Sequence, residues 1–336
     1  MSDLKSPHSR ISKIVSEIPR SGIRDFFDIV STRKNVISLG IGEPDFITPW
    51  NIRDAAIRSL DYGHTNYTSN MGMLSLRRGI SEYLEDKTKI SYKAEDEVLI
   101  TVGVSEGLDL AIRAFIEPGD EVIYHEPSYV SYNPIIRFAH GIPVGIQTKK
   151  VNGFKLTRED LEKAVTKKSK ILLLNYPNNP TGVTLSEEEI REIADFVIKY
   201  DLILLTDEIY DELSYDNKHF SIISVPGMRE RTIYLHGFSK VWAMTGWRIG
   251  FIAAPSVFIE AMMKIHQYTM LCASVTSQEA ALEAVRNSQS SILDMKNEYL
   301  NRRNFIQSSF DQMKIPYIHS SGAFYIFVDI SKFGLS

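Results

Sequence analysis

Lys240 lies in the segment whose residue types most directly suggest chemistry, from His236 to Gly250 (HGFSKVWAMTGWRIG). A lysine amine can form an imine with a carbonyl compound. Ser239 and Arg248 can bind a phosphate, the arginine through paired N–H groups. A Ser-Lys pair alone says little, because most lysines are solvated surface charges, but the whole segment is far more specific. It predicts a site for a carbonyl cofactor that carries a phosphate.

Two further segments place polar residues directly after apolar runs. One is Asn175-Tyr-Pro-Asn-Asn179-Pro-Thr-Gly182, and the other is Asp207-Glu-Ile-Tyr210. Taken alone, the first is equally typical of a turn rich in proline and asparagine. Asp207 alone is more typical of a helix N-cap, although it can also pair with a pyridinium nitrogen.

Seven short apolar runs predict the strands that would position these residues. They alternate with amphipathic segments such as Ser105–Phe115 and Ser186–Tyr200, which favours a largely parallel sheet with helices on both faces. The carboxyl ends of parallel strands share one edge, where open α/β sheets bind ligands, so the three segments are expected to converge there. The predicted strands are Val98–Val102, Glu121–Tyr124, Ile142–Ile146, Ile171–Asn175, Leu202–Thr206, Thr232–His236 and Ile249–Ala253.

Helix signals are strongest in two places. Leu185-Ser-Glu-Glu-Glu189 predicts a capping box with Ser186 as N-cap. The chain from about Ser277 to Met313 has a helical pattern interrupted by a Ser-rich patch near Asn287. Ala323–Ile330 then predicts a further strand.

Composition narrows the class of protein. A chain of 336 residues, 43% of them hydrophobic, can bury a sizeable core in about two domains. The net charge of −4 and the lack of basic clusters argue against nucleic-acid and membrane partners. No metal site is predicted. The single cysteine, Cys272, fits a reducing compartment, and the N-terminus lacks the apolar core of a secretory signal, so we expect a cytoplasmic protein.

The order of the three segments resembles the class I aminotransferases of fold type I, the aspartate and aromatic aminotransferase superfamily. The likeness runs from about Ser21 to the last residue. Within the superfamily, the chain most resembles the bacterial branch assigned to N-acetyl-LL-diaminopimelate or aromatic amino acid transamination. Four other stretches carry it, namely Ser21–Phe27 (SGIRDFF), Ser38–Pro49 (SLGIGEPDFITP), Tyr67–Gly72 (YTSNMG) and Lys264–Tyr268 (KIHQY).

The resemblance implies an α/β fold with a three-layer αβα large domain and a smaller α+β domain. The large domain would hold a mostly parallel seven-stranded sheet. We expect an N-terminal arm and small-domain segment at 1–45, the cofactor-binding domain at 46–285 and the start of the C-terminal small domain at 286–336.

It also implies pyridoxal 5′-phosphate as cofactor and assigns three catalytic residues. Lys240 would hold the cofactor as a Schiff base and move the proton between the substrate α-carbon and the cofactor C4′. Asp207 would keep the pyridine nitrogen protonated, which makes the ring an electron sink. Tyr210 and Asn179 would hydrogen-bond the ring O3′, and Tyr129 would stack on the ring.

Phosphate and substrate contacts follow from the same resemblance. Glu106 carries a negative charge, so only its backbone N–H or a helix-side role suits a phosphate site. Tyr67 would reach the phosphate from a neighbouring subunit, which implies a homodimer. Substrate would meet the backbone of Gly42 as well as Tyr129 and Asn179. The implied phosphate site consists of Val104, Ser105, Glu106, Ser239, Arg248 and Tyr67.

The implied reaction is ping-pong transamination from an amino acid donor to a 2-oxo acid acceptor, usually 2-oxoglutarate in this family. Two alternatives remain open. A β-lyase of the same fold shares the residue set, and a cofactor-binding module would lack turnover. Family members run further and carry an arginine that clamps the substrate carboxylate. The chain given ends at Ser336 with no arginine after Arg303, so we expect a trimmed or incomplete chain.

Overall fold

A seven-stranded sheet forms the centre of the computed structural model, which describes residues 7–20, 39–40 and 42–334. Its strand order is β1-β7-β6-β5-β4-β2-β3. Each strand begins and ends within two residues of its predicted bounds, so all seven predictions are confirmed. The strands are β1 (Val98–Thr101), β2 (Glu121–Glu126), β3 (Ile142–Gln147), β4 (Ser169–Asn175), β5 (Ile203–Asp207), β6 (Thr232–Gly237) and β7 (Gly250–Ala253).

Strand direction matches the prediction except at β7. Strands β6, β5, β4, β2 and β3 run parallel to one another, whereas β7 lies antiparallel between β1 and β6. The sheet is therefore mostly parallel, as expected. The reversal matters for the site: Arg248 precedes β7 in the chain and so lies at the same edge as residues that follow the other strands.

Helices cover both faces of the sheet. On β1, Val98 and Ile100 pack into one core cluster and Leu99 packs into another, as the two-residue period of a strand requires. These clusters lie on opposite faces, which confirms the three-layer arrangement. The helices are α1 (Lys13–Glu17), α2 (Trp50–Asp61), α3 (Leu74–Thr88), α4 (Gly103–Phe115), α5 (Tyr132–Phe138), α6 (Arg158–Ala164), α7 (Glu187–Lys199), α8 (Ser256–Thr269), α9 (Val275–Asn287) and α10 (Gln289–Met313).

Helix boundaries also follow the sequence signals. Ser186 caps α7 with the full capping box, because its Oγ accepts the Glu189 N–H at 3.3 Å and Glu189 Oε2 accepts the Ser186 N–H at 2.7 Å. The break between α9 and α10 falls at Ser288, inside the predicted Ser-rich patch. No helix in the described residues is long and apolar enough to cross a membrane.

The predicted strand Ala323–Ile330 is wrong over most of its length. Only Phe327–Val328 forms a strand, β9, which pairs antiparallel with β8 at Tyr317–Ile318. Ala323 has a φ of +55°, a left-handed conformation that ends any extended run. The domain boundaries at 45 and 285 stay predictions, and the resembling stretch Ser21–Phe27 lies outside the described residues.

Candidate active site

Four predicted site residues and the turn that precedes the predicted phosphate site lie around one edge of the sheet. Asp207 is the last residue of β5, Asn179 follows β4, and Lys240 follows β6. Gly103 begins α4 directly after β1, and Arg248 precedes the antiparallel β7. Because β1, β4, β5 and β6 end where β7 begins, the fold brings these separate segments to one place.

Lys240 lies largely buried at this edge. Its Nζ donates a hydrogen bond to the Gly42 carbonyl oxygen at 2.5 Å and lies 5.7 Å from the centroid of the Phe324 ring. Burial lowers the pKa of Lys240 to about 8, although Glu43 and Asp207 oppose this shift. A lysine with a lowered pKa has a larger neutral fraction near physiological pH, so it is the more nucleophilic.

Asp207 is buried beside it, with 6% of its surface exposed. Tyr132 Oη donates to Oδ2 at 2.9 Å, and the Ile209 N–H donates to Oδ1 at 3.3 Å. Burial raises the pKa of Asp207 to about 6, while these hydrogen bonds favour the ionised form. A turn, not a helix, follows Asp207, so the N-cap interpretation is wrong. A cation placed next to this carboxylate would be stabilised.

Tyr210 and Tyr325 face each other across the site, with their hydroxyl oxygens 2.6 Å apart. Burial raises the pKa of Tyr325 to about 12, so its hydroxyl stays protonated at neutral pH. A Cβ on Gly42 would meet Tyr325 Oη at 2.1 Å, which shows how closely the ring packs on that backbone. Sequence reasoning missed Tyr325, although it lies in the segment that predicted a strand.

Asn175 is a second missed residue. Its Nδ2 donates to the Asp207 backbone oxygen at 2.9 Å, and its Oδ1 accepts the Asn179 N–H at 2.9 Å. One side chain therefore links the ends of β4 and β5. The only signal available was its position at the start of the Asn- and Pro-rich segment, which the structure shows to be more than a surface turn.

The turn from β1 into α4 meets the guanidinium of Arg248. Gly103 has a φ of +76°, and a Cβ built there would lie 2.8 Å from Arg248 Nη2. Arg248 can lie this close to the turn because Gly103 has no side chain. The first N–H groups of α4, at Val104 and Ser105, have no helical acceptor and suit a phosphate. These residues fit the phosphate of the implied cofactor.

The Glu106 side chain is engaged on the helix side, away from any anion. Its Oε2 accepts the Val102 N–H at 2.5 Å, and its Oε1 lies 2.6 Å from His266 Nδ1. Only the backbone N–H of Glu106 remains for a phosphate, as its charge had indicated. Ser239, which directly precedes Lys240 in the chain, is buried.

Two predicted site residues are more exposed. Tyr129 is half-buried and packs edge-to-face on Tyr132, with ring centroids 5.7 Å apart. Tyr67 is 82% exposed and makes no hydrogen bond to another residue of the described ranges. Its exposure leaves the ring free to meet another molecule.

Sequence and structure comparisons identify the class of protein. The family model described as aminotransferase class I and II matches residues 34–333, so the chain belongs to this family. A putative aminotransferase of Bacillus subtilis strain 168, YugH, is 50% identical over 98% of this chain and 85% of its own length. A probable N-acetyl-LL-diaminopimelate aminotransferase of the same strain is 44% identical over 100% and 83%.

A solved structure supports the same family assignment. The aromatic aminotransferase from Pyrococcus horikoshii OT3 is 41% identical, has a TM-score of 0.88, and is matched over 92% of this chain and 84% of its own. The protein is accordingly an aminotransferase that depends on pyridoxal phosphate. The likeness to the class I branch, stated above on a few motifs, is confirmed over nearly the whole chain.

Proposed function

We propose that Lys240 binds pyridoxal phosphate covalently and then carries the proton during amino transfer between an amino acid and a 2-oxo acid. The observation that supports this best is the buried Lys240 amine, whose pKa is lowered to about 8, at the sheet edge that also holds Asp207. When bound, the cofactor supplies an aldehyde that takes up amino groups and a ring that withdraws electrons. An amine with a pKa near the working pH suits both giving and taking a proton.

Asp207 is proposed to hold the ring nitrogen in its protonated form. Its carboxylate is buried and already oriented by Tyr132 and the Ile209 N–H, so it needs little rearrangement to meet a cation. Tyr210 and Asn179 are proposed to hydrogen-bond the ring hydroxyl oxygen. The Tyr325 hydroxyl, 2.6 Å from that of Tyr210, then orients the Tyr210 proton.

The phosphate is proposed to lie at the start of α4. Backbone N–H groups and the positive end of the helix dipole favour an anion there. Arg248 closes over Gly103 and supplies a charge-assisted, bidentate contact. Ser239 adds a hydroxyl. The full set is Val104, Ser105, Glu106 through its N–H, Ser239 and Arg248.

The active form is proposed to be a homodimer in which Tyr67 reaches the cofactor of the neighbouring subunit. Support comes from large apolar side chains that remain exposed in the single chain, in or beside three of the stretches that carry the family resemblance. They are Leu39, Ile47, Trp50, Tyr67 and Tyr268.

Substrate is proposed to bind against Gly42, Tyr129 and Asn179, with 2-oxoglutarate as the acceptor. Relatives of similar identity carry different activities in their names, among them aspartate, aromatic amino acid and N-acetyl-LL-diaminopimelate transamination. The single cysteine supports a reducing compartment, and we propose the cytoplasm.

A donor screen tests the reaction type. The holoenzyme is incubated with aromatic, acidic or acyl-diaminopimelate donors, with and without 2-oxoglutarate, and the products are separated by chromatography. We expect glutamate to form in step with the donor's 2-oxo acid. Ammonia and pyruvate from a sulfur amino acid, without new glutamate, would contradict transamination.

A further inference from the structure

A polar cavity of about 270 Å³ lies beside the proposed cofactor site. Its wall comes from the segment after β5, the end of α3, Tyr234 of β6 and Lys296 of α10. The residues described around it include none of those proposed above to contact the cofactor. A liquid water occupies roughly 30 Å³, so this space exceeds what one bound water fills.

Two buried carboxylates in the wall already have hydrogen-bond partners. Glu208 accepts from Ser221 Oγ at 2.9 Å and lies 2.6 Å from His219 Nε2. Asp211 Oδ1 lies 2.9 Å from His236 Nε2. Both side chains are therefore held against the protein and leave little acceptor capacity for a ligand.

Two further acidic residues of the wall are neutralised by basic side chains. Glu212 forms an ion pair with Lys87. Asp216 Oδ1 accepts from Arg303 Nη1 at 2.7 Å. These pairs offset two of the four negative charges in the wall, and the other two, on Glu208 and Asp211, lie against the imidazoles of His219 and His236.

Donor groups, in contrast, are left over. Ser214 is 3% exposed, and its buried Oγ has no hydrogen-bond partner within the described part of the chain. Lys218 and Lys296 also line the cavity, and neither forms an ion pair or hydrogen bond with any residue the structure describes. Lys218 is exposed and Lys296 is half-buried near the Asp211 carboxylate, so the buried Ser214 hydroxyl is the group whose lack of a partner points to a ligand that accepts hydrogen bonds.

We propose that this cavity binds a small oxyanion, a phosphate or a carboxylate, through Lys218, Lys296 and the Ser214 hydroxyl. Two ammonium groups supply the charge, and the serine hydroxyl supplies a directed hydrogen bond. Asp211 and Tyr210 are adjacent in the chain, so the bound anion lies one residue away from the wall of the cofactor site.

Calorimetric titration tests the proposal on holoenzyme whose cofactor has been fixed by borohydride reduction, so that phosphate cannot displace it. Inorganic phosphate and acetate serve as separate probes, and the tighter binder identifies the class of oxyanion. We expect saturable binding of one anion per chain at millimolar concentrations. Lys296→Gln and Lys218→Gln should each weaken binding about tenfold, the loss of one charge-assisted contact.

Lys264→Gln is the matched control, because Lys264 lies on α8, has a side chain that is 70% exposed and does not line the cavity. Its affinity should equal that of the unmodified holoenzyme. Binding of neither anion, or equal affinity in Lys296→Gln, Lys218→Gln and the control, would overturn the proposal and leave a cavity filled with water. Lys218 is exposed, so its variant decides the matter if Lys296→Gln does not fold.

Discussion

Replacing Asp207 by asparagine removes a buried negative charge while keeping the shape of the side chain. An asparagine oxygen can still accept the Ile209 N–H, which now donates to Oδ1 at 3.3 Å. The Tyr132 hydroxyl, now a donor to Oδ2, can rotate and accept from the new amide. We therefore expect Asp207→Asn to fold and to keep its cofactor.

The expected loss of activity follows from the lost charge. An opposite charge close to an ionisable group typically shifts the pKa of that group by about 1–3 units. Each unit corresponds to about 1.4 kcal/mol. Without that stabilisation the protonated ring nitrogen is lost, and with it the electron sink. Turnover should fall by roughly 10- to 1,000-fold.

Stopped-flow absorbance after mixing with the best amino donor from the screen measures the half-reaction directly. Tyr132→Phe is the control, because it removes one hydrogen bond to Asp207 and keeps the charge. It should slow the reaction by about tenfold, the low end of the roughly 1.5–3 kcal/mol that a hydrogen bond to an ionised group contributes, because Asp207 keeps its charge and its bond from the Ile209 N–H. A fully loaded Asp207→Asn enzyme that reacts at the wild-type rate would refute the electrostatic role.

The phosphate turn, the Tyr210 hydroxyl and the Lys240 amine can each be probed separately. Gly103→Ala puts a methyl group 2.8 Å from a guanidinium nitrogen at a φ of +76° and should weaken cofactor retention on dialysis about tenfold, whereas Gly119→Ala, with a φ of +99° and open space, should not. Tyr325→Phe removes the 2.6 Å hydrogen bond to Tyr210 and should lower kcat about fivefold at unchanged cofactor content. Because only the neutral amine attacks an aldehyde, the rate of reconstitution of the apoenzyme should rise with pH through the Lys240 pKa of about 8; a midpoint at the ordinary lysine value would contradict the burial argument.

Buried strands were predictable because both of their faces are covered, so each is an almost unbroken apolar run. The run Ile171–Leu174 is an example, and all four residues are buried in the structure. Direction is not encoded in such a run, and nothing local distinguished the antiparallel β7 from its parallel neighbours. The false strand at Ala323 has a similar cause, because a left-handed φ at an alanine depends on tertiary contacts.

Residues of the candidate site were predictable where they end a strand or follow it within a few positions, as Asp207 and Lys240 do. The residues that orient them were not. Tyr325 meets Tyr210 across 115 residues of chain, and Tyr132 meets Asp207 across 75. Such pairs exist only once the sheet has formed, and a tyrosine in an apolar stretch is otherwise typical of a core.

Borohydride reduction of the holoenzyme, followed by proteolysis and mass spectrometry, tests the central claim most directly. The wild-type protein should carry the reduced cofactor on the peptide that contains Lys240 and nowhere else. Lys240→Ala should carry no reducible adduct, while Lys264→Ala should be labelled like the wild type. A stable adduct in Lys240→Ala, or a labelled peptide without Lys240, would contradict the account.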